Sequence, residues 1–228
     1  MKKLILFCAV VLLASLACLP STRAQVAEAG RFYVHLDLGP SFAEDTEVTQ
    51  FLGSLRGAEV EFDVGVRLDL AGGYRVTDWF GVEMETGFTS LFVDHVNGVS
   101  GVDFNDSSFT TVPLLVNVVF QYPNRSRVVP FVGGGVGGAL SMFYADDITD
   151  YSTFVVDGSD ADAVFAFQGF AGVRVQINDA MSAGLVYKYL YTDDANWEVE
   201  DDFGQSMGDI AFGEVKAHSV SAFFSVAF

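Results

Sequence analysis

The feature that most constrains this chain is a repeated alternation of apolar and polar side chains. In one stretch Phe80, Val82 and Met84 occupy one set of alternate positions, and Glu83 and Glu85 occupy the other. Successive residues of a β-strand point to opposite faces of a sheet, so a period of two predicts strands with one apolar face. Such stretches recur at about residues 32–39, 62–71, 80–88, 109–121, 128–142, 165–177, 182–189 and 219–228.

The connections between these eight stretches alternate between short and long. The short ones lie at 77–79, 122–127 and 178–179, and the long ones at 43–60, 89–108, 144–162 and 192–213. The length of each strand is close to the ~10 residues that a tilted strand needs to cross a bilayer. Short periplasmic turns with long extracellular loops are typical of outer-membrane barrels. Lipid offers no partner for an open sheet edge, so the sheet must close. The pattern predicts an all-β fold, an eight-stranded antiparallel up-and-down transmembrane β-barrel.

Aromatic residues cluster where these strands begin and end. Such rings are enriched at the interfaces between a membrane and water. The residues near the turns are Trp79, Phe80, Phe120, Tyr122 and Phe131, and those near the loops are Phe62, Phe88, Phe109, Phe143, Phe165, Tyr189 and Tyr191. Their position predicts two aromatic belts around the barrel.

The first residues carry a targeting signal. Lys2 and Lys3 precede an apolar run over 4–19, and small residues lead to a cleavage site that we place after Ala24. Lipoprotein processing at Cys18 is the alternative, although Ser15 stands where such signals favour leucine. The sequence therefore divides into a signal peptide at 1–24 and a barrel domain at 25–228. Both cysteines fall in the signal, and export leads to the outer membrane of a Gram-negative cell.

The polar face of the strands predicts what fills the barrel. A barrel of about eight strands is filled by side chains rather than by a water channel. Charged residues on the polar face are expected to form an interior charge network, and these are Asp37, Asp63, Arg67, Asp69, Glu83, Glu85, Arg174 and Lys188.

The net charge comes mainly from the long loops. The chain has 30 acidic and 12 basic residues, a formal charge of -18. Nucleic-acid binding is excluded because it requires clustered Lys and Arg. Acidic loops facing anionic lipopolysaccharide would repel it unless divalent cations bridge the two. Two interpretations stay open, solvated loops and weak cation sites, and the candidate residues for such sites are Asp157, Asp160, Asp162, Asp193, Asp194, Asp201 and Asp202.

No arrangement of residues predicts catalysis or a cofactor. The histidines are His35, His95 and His218. His35 shares a strand face with Asp37, which favours a structural pair inside the barrel. His218 and Ser219 are neighbours in a strand and point to opposite faces, so they cannot form a simple dyad. We therefore expect a protein that is not an enzyme and that binds no cofactor.

The sequence resembles the small OmpA-like, opacity-type outer-membrane β-barrel proteins over residues 25–228. The similar stretches are Val112-Pro113-Leu114 with Asn117, Pro130 to Gly137, Ala171 to Arg174 and Tyr187-Lys188-Tyr189. The resemblance implies folding with the help of periplasmic chaperones and the barrel assembly machinery. The assembly signal that this machinery reads would be Phe224, Val226 and the terminal Phe228.

Function is therefore expected at the membrane surface. The predicted role is that of an integral outer-membrane protein with a structural or surface-interaction function, in contact with lipid and lipopolysaccharide. One alternative is a small porin-like passive pore. The other is a soluble lipocalin-like barrel that binds an apolar ligand.

Overall fold

The structure is a computed structural model that describes residues 31–51, 58–97, 108–122, 126–145, 158–200 and 206–228. In these ranges no helix is long and apolar enough to cross a bilayer. The predicted signal peptide at 1–24 lies outside the described residues, so its cleavage stays a prediction.

The described residues form eight long strands and three short ones, all in a single sheet. The long strands are β1 (Phe32–Ala43), β3 (Ala58–Arg75), β4 (Phe80–Asn97), β5 (Ser108–Gln121), β6 (Val128–Ala145), β7 (Gly158–Gln176), β8 (Met181–Thr192) and β11 (Val215–Ala227). The short strands are β2 (Thr46–Phe51), β9 (Ala195–Glu200) and β10 (Ser206–Phe212).

The eight long strands close into an antiparallel barrel. Going around the wall, the order is β1, β11, β8, β7, β6, β5, β4 and β3, and β3 returns to β1. Leu36 shows the closure, since it lies opposite Phe224 of β11 on one side and Leu70 of β3 on the other. Long strands that follow one another in the chain are neighbours throughout, which confirms the predicted up-and-down fold.

The strands are longer than the alternation predicted. β4 continues to Asn97 and β3 begins at Ala58, inside segments that we expected to be loops. The three short strands also fall in the segments expected as loops at 43–60 and 192–213. Backbone pairing continues there, for example between Thr46 and Val60 and between Ile210 and Phe51. Pairing of this kind needs no apolar face, so the sequence pattern does not report it.

The two faces of the barrel wall differ in polarity. Apolar side chains point outward, with Met84, Leu114 and Leu185 each about 60% exposed. Charged side chains point inward, and Asp69 and Lys188 are almost fully buried. A soluble barrel for an apolar ligand needs the reverse arrangement. The structure therefore does not support the lipocalin-like alternative.

Most of the predicted belt is present at the end of the barrel that carries the short turns, which we call the turn end. The rings of Trp79 and Phe120 stack there with centroids 6.1 Å apart. Phe131 instead turns inward and packs against Phe223 with centroids 5.7 Å apart. Phe109, which was predicted for the belt near the loops, is also buried. The belt interpretation is therefore wrong for Phe131 and Phe109.

Candidate functional site

A cluster of charged side chains fills the middle of the barrel interior. The Nζ atom of Lys188 donates hydrogen bonds to Oδ2 of Asp37 at 2.9 Å, to Oδ2 of Asp69 at 2.8 Å and to Oε1 of Glu85 at 2.9 Å. Arg67 completes the cluster, with its Nε 2.5 Å from Oδ2 of Asp69. We call these five residues the interior ion cluster. Each lies on the inward face of its strand because it occupies the polar set of alternate positions.

Two neutral amides complete this cluster. Arg67 donates from Nη2 to Oε1 of Gln168 at 2.9 Å and to Oε1 of Glu85 at 3.1 Å. Gln168 donates to Oδ1 of Asn117 at 3.0 Å, and Asn117 donates to Oε2 of Glu85 at 2.9 Å. The sequence argument missed Asn117 and Gln168 because it considered only charges, although both lie on the polar face of their strands.

The cluster connects opposite walls of the barrel. Lys188 is on β8 and Glu85 on β4, and these strands are four positions apart in either direction around the ring of eight. Arg67 on β3 and Gln168 on β7 are also four positions apart. The contacts Lys188–Glu85 and Arg67–Gln168 therefore cross the full width of the interior.

Burial makes the pairing of these charges obligatory. Arg67 is 1% exposed and Lys188 is 2% exposed. A buried charge that loses its partner is strongly destabilising, because desolvation is no longer offset. Oδ1 of Asp37 and Oδ1 of Asp69 accept no hydrogen bond from the described residues.

A second polar group lies beside the cluster, closer to the turn end. The hydroxyl of Tyr33 donates to Oε1 of Glu83 at 2.6 Å. His35 has Nε2 3.7 Å from Oδ2 of Asp37 and Nδ1 3.8 Å from Oε1 of Glu83. The predicted contact between His35 and Asp37 is therefore present in the structure.

His35, Glu83 and Glu85 also bring three potential metal-ligand atoms within 4.8 Å of one another. Glu85 is already hydrogen-bonded by Lys188 and Arg67. Both of these side chains are cations and would repel a metal ion bound at the same carboxylate. The donor set does not fit a metal, and we assign none here.

The structure places seven of the eight predicted interior charges on the buried face. Asp63 is the exception and is exposed. The pairing of β3 with β4 shifts register between Asp63 and Val66, so an irregularity interrupts the alternation at this point. Oδ1 of Asp63 accepts a hydrogen bond from the backbone N–H of Val64 at 2.7 Å. The prediction of an interior position for Asp63 is therefore wrong.

The residues proposed for loop cation sites are only partly described. Asp193 and Asp194 are exposed, Asp162 is half-buried, and Asp160 belongs to β7. Asp157, Asp201 and Asp202 lie outside the described residues. Within the described ranges these aspartates form no group of three potential ligands.

The predicted assembly signal lies on the outer face of β11 and at the chain end. Phe224, Val226 and Phe228 are all exposed. The backbone N–H of Phe228 donates to the carbonyl oxygen of Phe32 at 2.8 Å, so the last residue is still tied to β1. Its role in assembly stays a prediction.

Comparison with known proteins agrees with this geometry. The family model described as outer membrane protein beta-barrel domain matches residues 9–228. A search of the curated proteins finds no match.

Solved structures with the same fold include three with a TM-score above 0.5. OprG from Pseudomonas aeruginosa is 17% identical with a TM-score of 0.58, and the match covers 87% of this chain and 96% of OprG. Neisserial surface protein A is 16% identical with a TM-score of 0.53, covering 89% of this chain and 100% of that protein. The outer membrane protease OmpT from Escherichia coli is 6% identical with a TM-score of 0.52, covering 91% and 100%. At these identities the likeness concerns the fold alone.

Proposed function

Because the chain belongs to the family of outer-membrane β-barrel domains, we propose that it is a closed, non-enzymatic barrel that acts through its surface. The observation that carries this proposal is the Lys188–Glu85 contact, which joins opposite walls at 2.9 Å. A solute crossing the barrel would have to break this buried contact and the Arg67–Gln168 contact beside it. Separating buried partners is costly, which disfavours the porin-like alternative.

An aromatic layer adds to this closure on the turn-end side of the ion cluster. Phe170 and Phe223 are each 6% exposed and pack with Val119 and Val186. Phe131 packs against both Phe170 and Phe223. A polar solute would meet an apolar layer in addition to the ion cluster.

A surface role is supported by the other end of the barrel. β2, β9 and β10 pair with each other beyond the ends of β1, β8 and β11, so this end carries a sheet extension. Its strands carry acidic residues, Glu47, Glu198, Glu200 and Asp209 among them. A negatively charged projection would bind cationic partners or divalent cations at the cell surface.

Two experiments test these parts separately. In a liposome-swelling assay with small sugars, vesicles that contain the protein are expected to swell no faster than empty ones. Sugar-dependent swelling would establish the pore instead.

For the loops, we expect chelation of divalent cations to increase protease cleavage in whole cells. Identical cleavage with and without chelator would contradict cation binding.

A further inference from the structure

Two arginines lie at the turn end of the interior without an acidic partner. Arg174 is 7% exposed, and Arg75 is half-buried. Within the described residues neither guanidinium has a carboxylate within the 4.0 Å that defines an ion pair. They are thus unlike Arg67, which contacts Asp69 and Glu85.

Both arginines are held in place by neutral groups. The guanidinium carbons of Arg75 and Arg174 lie 5.5 and 5.9 Å from the ring centroid of Tyr33. Arg174 also lies 5.5 Å from the ring centroid of Phe131, and its Nη1 donates to Oε1 of Gln121 at 3.2 Å. The Nε atoms of both arginines are buried and have no hydrogen-bond acceptor among the described residues.

The arginines line a cavity of about 280 Å³ that forms the mouth of the barrel at the turn end. This volume is several times that of one water molecule in the liquid, ~30 Å³. Ser182 and Ser225 line it and are 7% and 3% exposed, so hydroxyl groups are also available as donors. Asp78 and Asp179 line the outer part of the cavity. Both are exposed, so water screens their charges.

The carboxylates around the mouth do not pair with either arginine at contact distance. Arg75 and Arg174 repel each other, and Glu83 is the nearby buried carboxylate that attracts Arg174. Glu83 already accepts the hydrogen bond of Tyr33. This buried carboxylate is therefore engaged elsewhere, and a partly desolvated cation without a contact partner is unfavourable.

We propose that Arg75 and Arg174 form a binding site for a phosphate group at the turn end of the barrel. A guanidinium presents a planar fork of donors that matches phosphate oxygens in pairs. A tetrahedral phosphate can offer oxygens to both forks, whereas a carboxylate has only two oxygens in all. The same chemistry fits free phosphate and the headgroup of a phospholipid in the adjoining leaflet.

Nuclear magnetic resonance of the arginine Nε–Hε groups of the full barrel tests this proposal. In a maltoside detergent without phosphate, inorganic phosphate is added against chloride at constant ionic strength. The signals of Arg75 and Arg174 are expected to shift and saturate, while that of the exposed turn residue Arg127 does not. Shifts that do not saturate, or that are equal at Arg127, would overturn the proposal, because they report general ionic screening.

Substitutions at the arginines and a second anion test which features of the site bind phosphate. Arg174→Gln is expected to weaken phosphate binding, as measured from the Arg75 signal, about tenfold to a hundredfold, because a charged hydrogen-bond donor is lost. Arg127→Gln is expected to leave the affinity unchanged. Arg174→Lys keeps the charge and should bind with intermediate affinity. Equal binding of acetate would overturn the assignment to phosphate.

Phospholipid nanodiscs separate the two sources. Arginine signals that are already shifted in nanodiscs and no longer respond to added phosphate identify a lipid headgroup. Signals that still respond identify free phosphate. Both results support the site, and an absence of any shift in detergent and in nanodiscs contradicts it.

Discussion

The Nζ atom of Lys188 lies 2.9 Å from Oε1 of Glu85, although the two residues belong to strands on opposite walls of the barrel. Lys188 also contacts Asp37 and Asp69, so one ammonium group joins β8 to β1, β3 and β4. The middle of the interior is therefore a filled polar core. The outward face is apolar and exposed, and the inward polar face holds opposite walls together.

Lys188→Met is expected to reduce the free energy of unfolding by about 3–5 kcal/mol, because Asp37 loses its cation and Arg67 alone remains to balance three buried carboxylates. Urea titration in phospholipid vesicles, followed by heat-modifiable migration in gels, measures the loss. The control is Lys216→Met. Lys216 pairs with Glu214 at the exposed rim, so its removal should cost far less stability than the removal of Lys188. Equal losses in the two variants would contradict a dominant role for the buried cluster.

The Lys188–Glu85 contact should also appear as energetic coupling. In a double-mutant cycle, Lys188→Met and Glu85→Gln are expected to couple by about 0.5–3 kcal/mol, as residues in one network do. Glu83→Gln is the matched control, since Glu83 bonds to Tyr33 rather than to Lys188. The contact would be energetically silent if Lys188 coupled no more strongly to Glu85 than to Glu83.

Glycines in β6 permit the close approach of interior side chains. A Cβ atom at Gly133 would lie 2.3 Å from the ring of Phe170. Gly133→Ala should therefore destabilise the barrel by about 1–3 kcal/mol through overpacking. Gly169→Ala is the control, because a Cβ there meets no atom within 4 Å. The same urea titration compares them, and similar stability for both variants would refute the packing argument.

The rim of the barrel carries a titratable contact. Hydrogen bonds from Lys216 and Tyr191 lower the pKa of the Glu214 carboxyl below its usual range. Because the folded-state pKa is the lower one, this stabilisation is present above the unfolded-state pKa and is lost as pH falls through the folded-state pKa. Lys216→Met should raise the pKa of Glu214 in a carbon-13 titration. His218→Gln should not, since His218 contacts Glu44 instead. A Glu214 pKa that is unaltered in Lys216→Met would exclude this cause.

The sequence predicted the fold because alternation divides the side chains between two faces, and the alternation of short and long connections indicates a membrane barrel. It also predicted most interior charges, since Lys188 and Asp69 keep the polar parity of their strands. It failed at Asp63, where a shift in register reverses the direction of the side chain without any signal in residue type. The partners of Lys188 could not be predicted either. Which residues meet across the interior depends on the stagger of the strands, which the sequence pattern does not contain.

The sequence argument missed the turn-end cavity lined by Arg75 and Arg174 for a related reason. Arg174 was predicted to belong to the interior charge network, but it lies beyond the aromatic layer, next to Arg75 and Gln121. Both arginines come from strand ends that precede turns, and only the closed barrel brings those ends together.

Single-channel recording in planar bilayers tests the central claim most directly, because a closed interior cannot carry ions. We expect the purified wild-type barrel to show no stable unitary conductance over a range of voltages. Steady, reproducible conductance steps from the folded wild-type protein would contradict the closed interior and establish a pore.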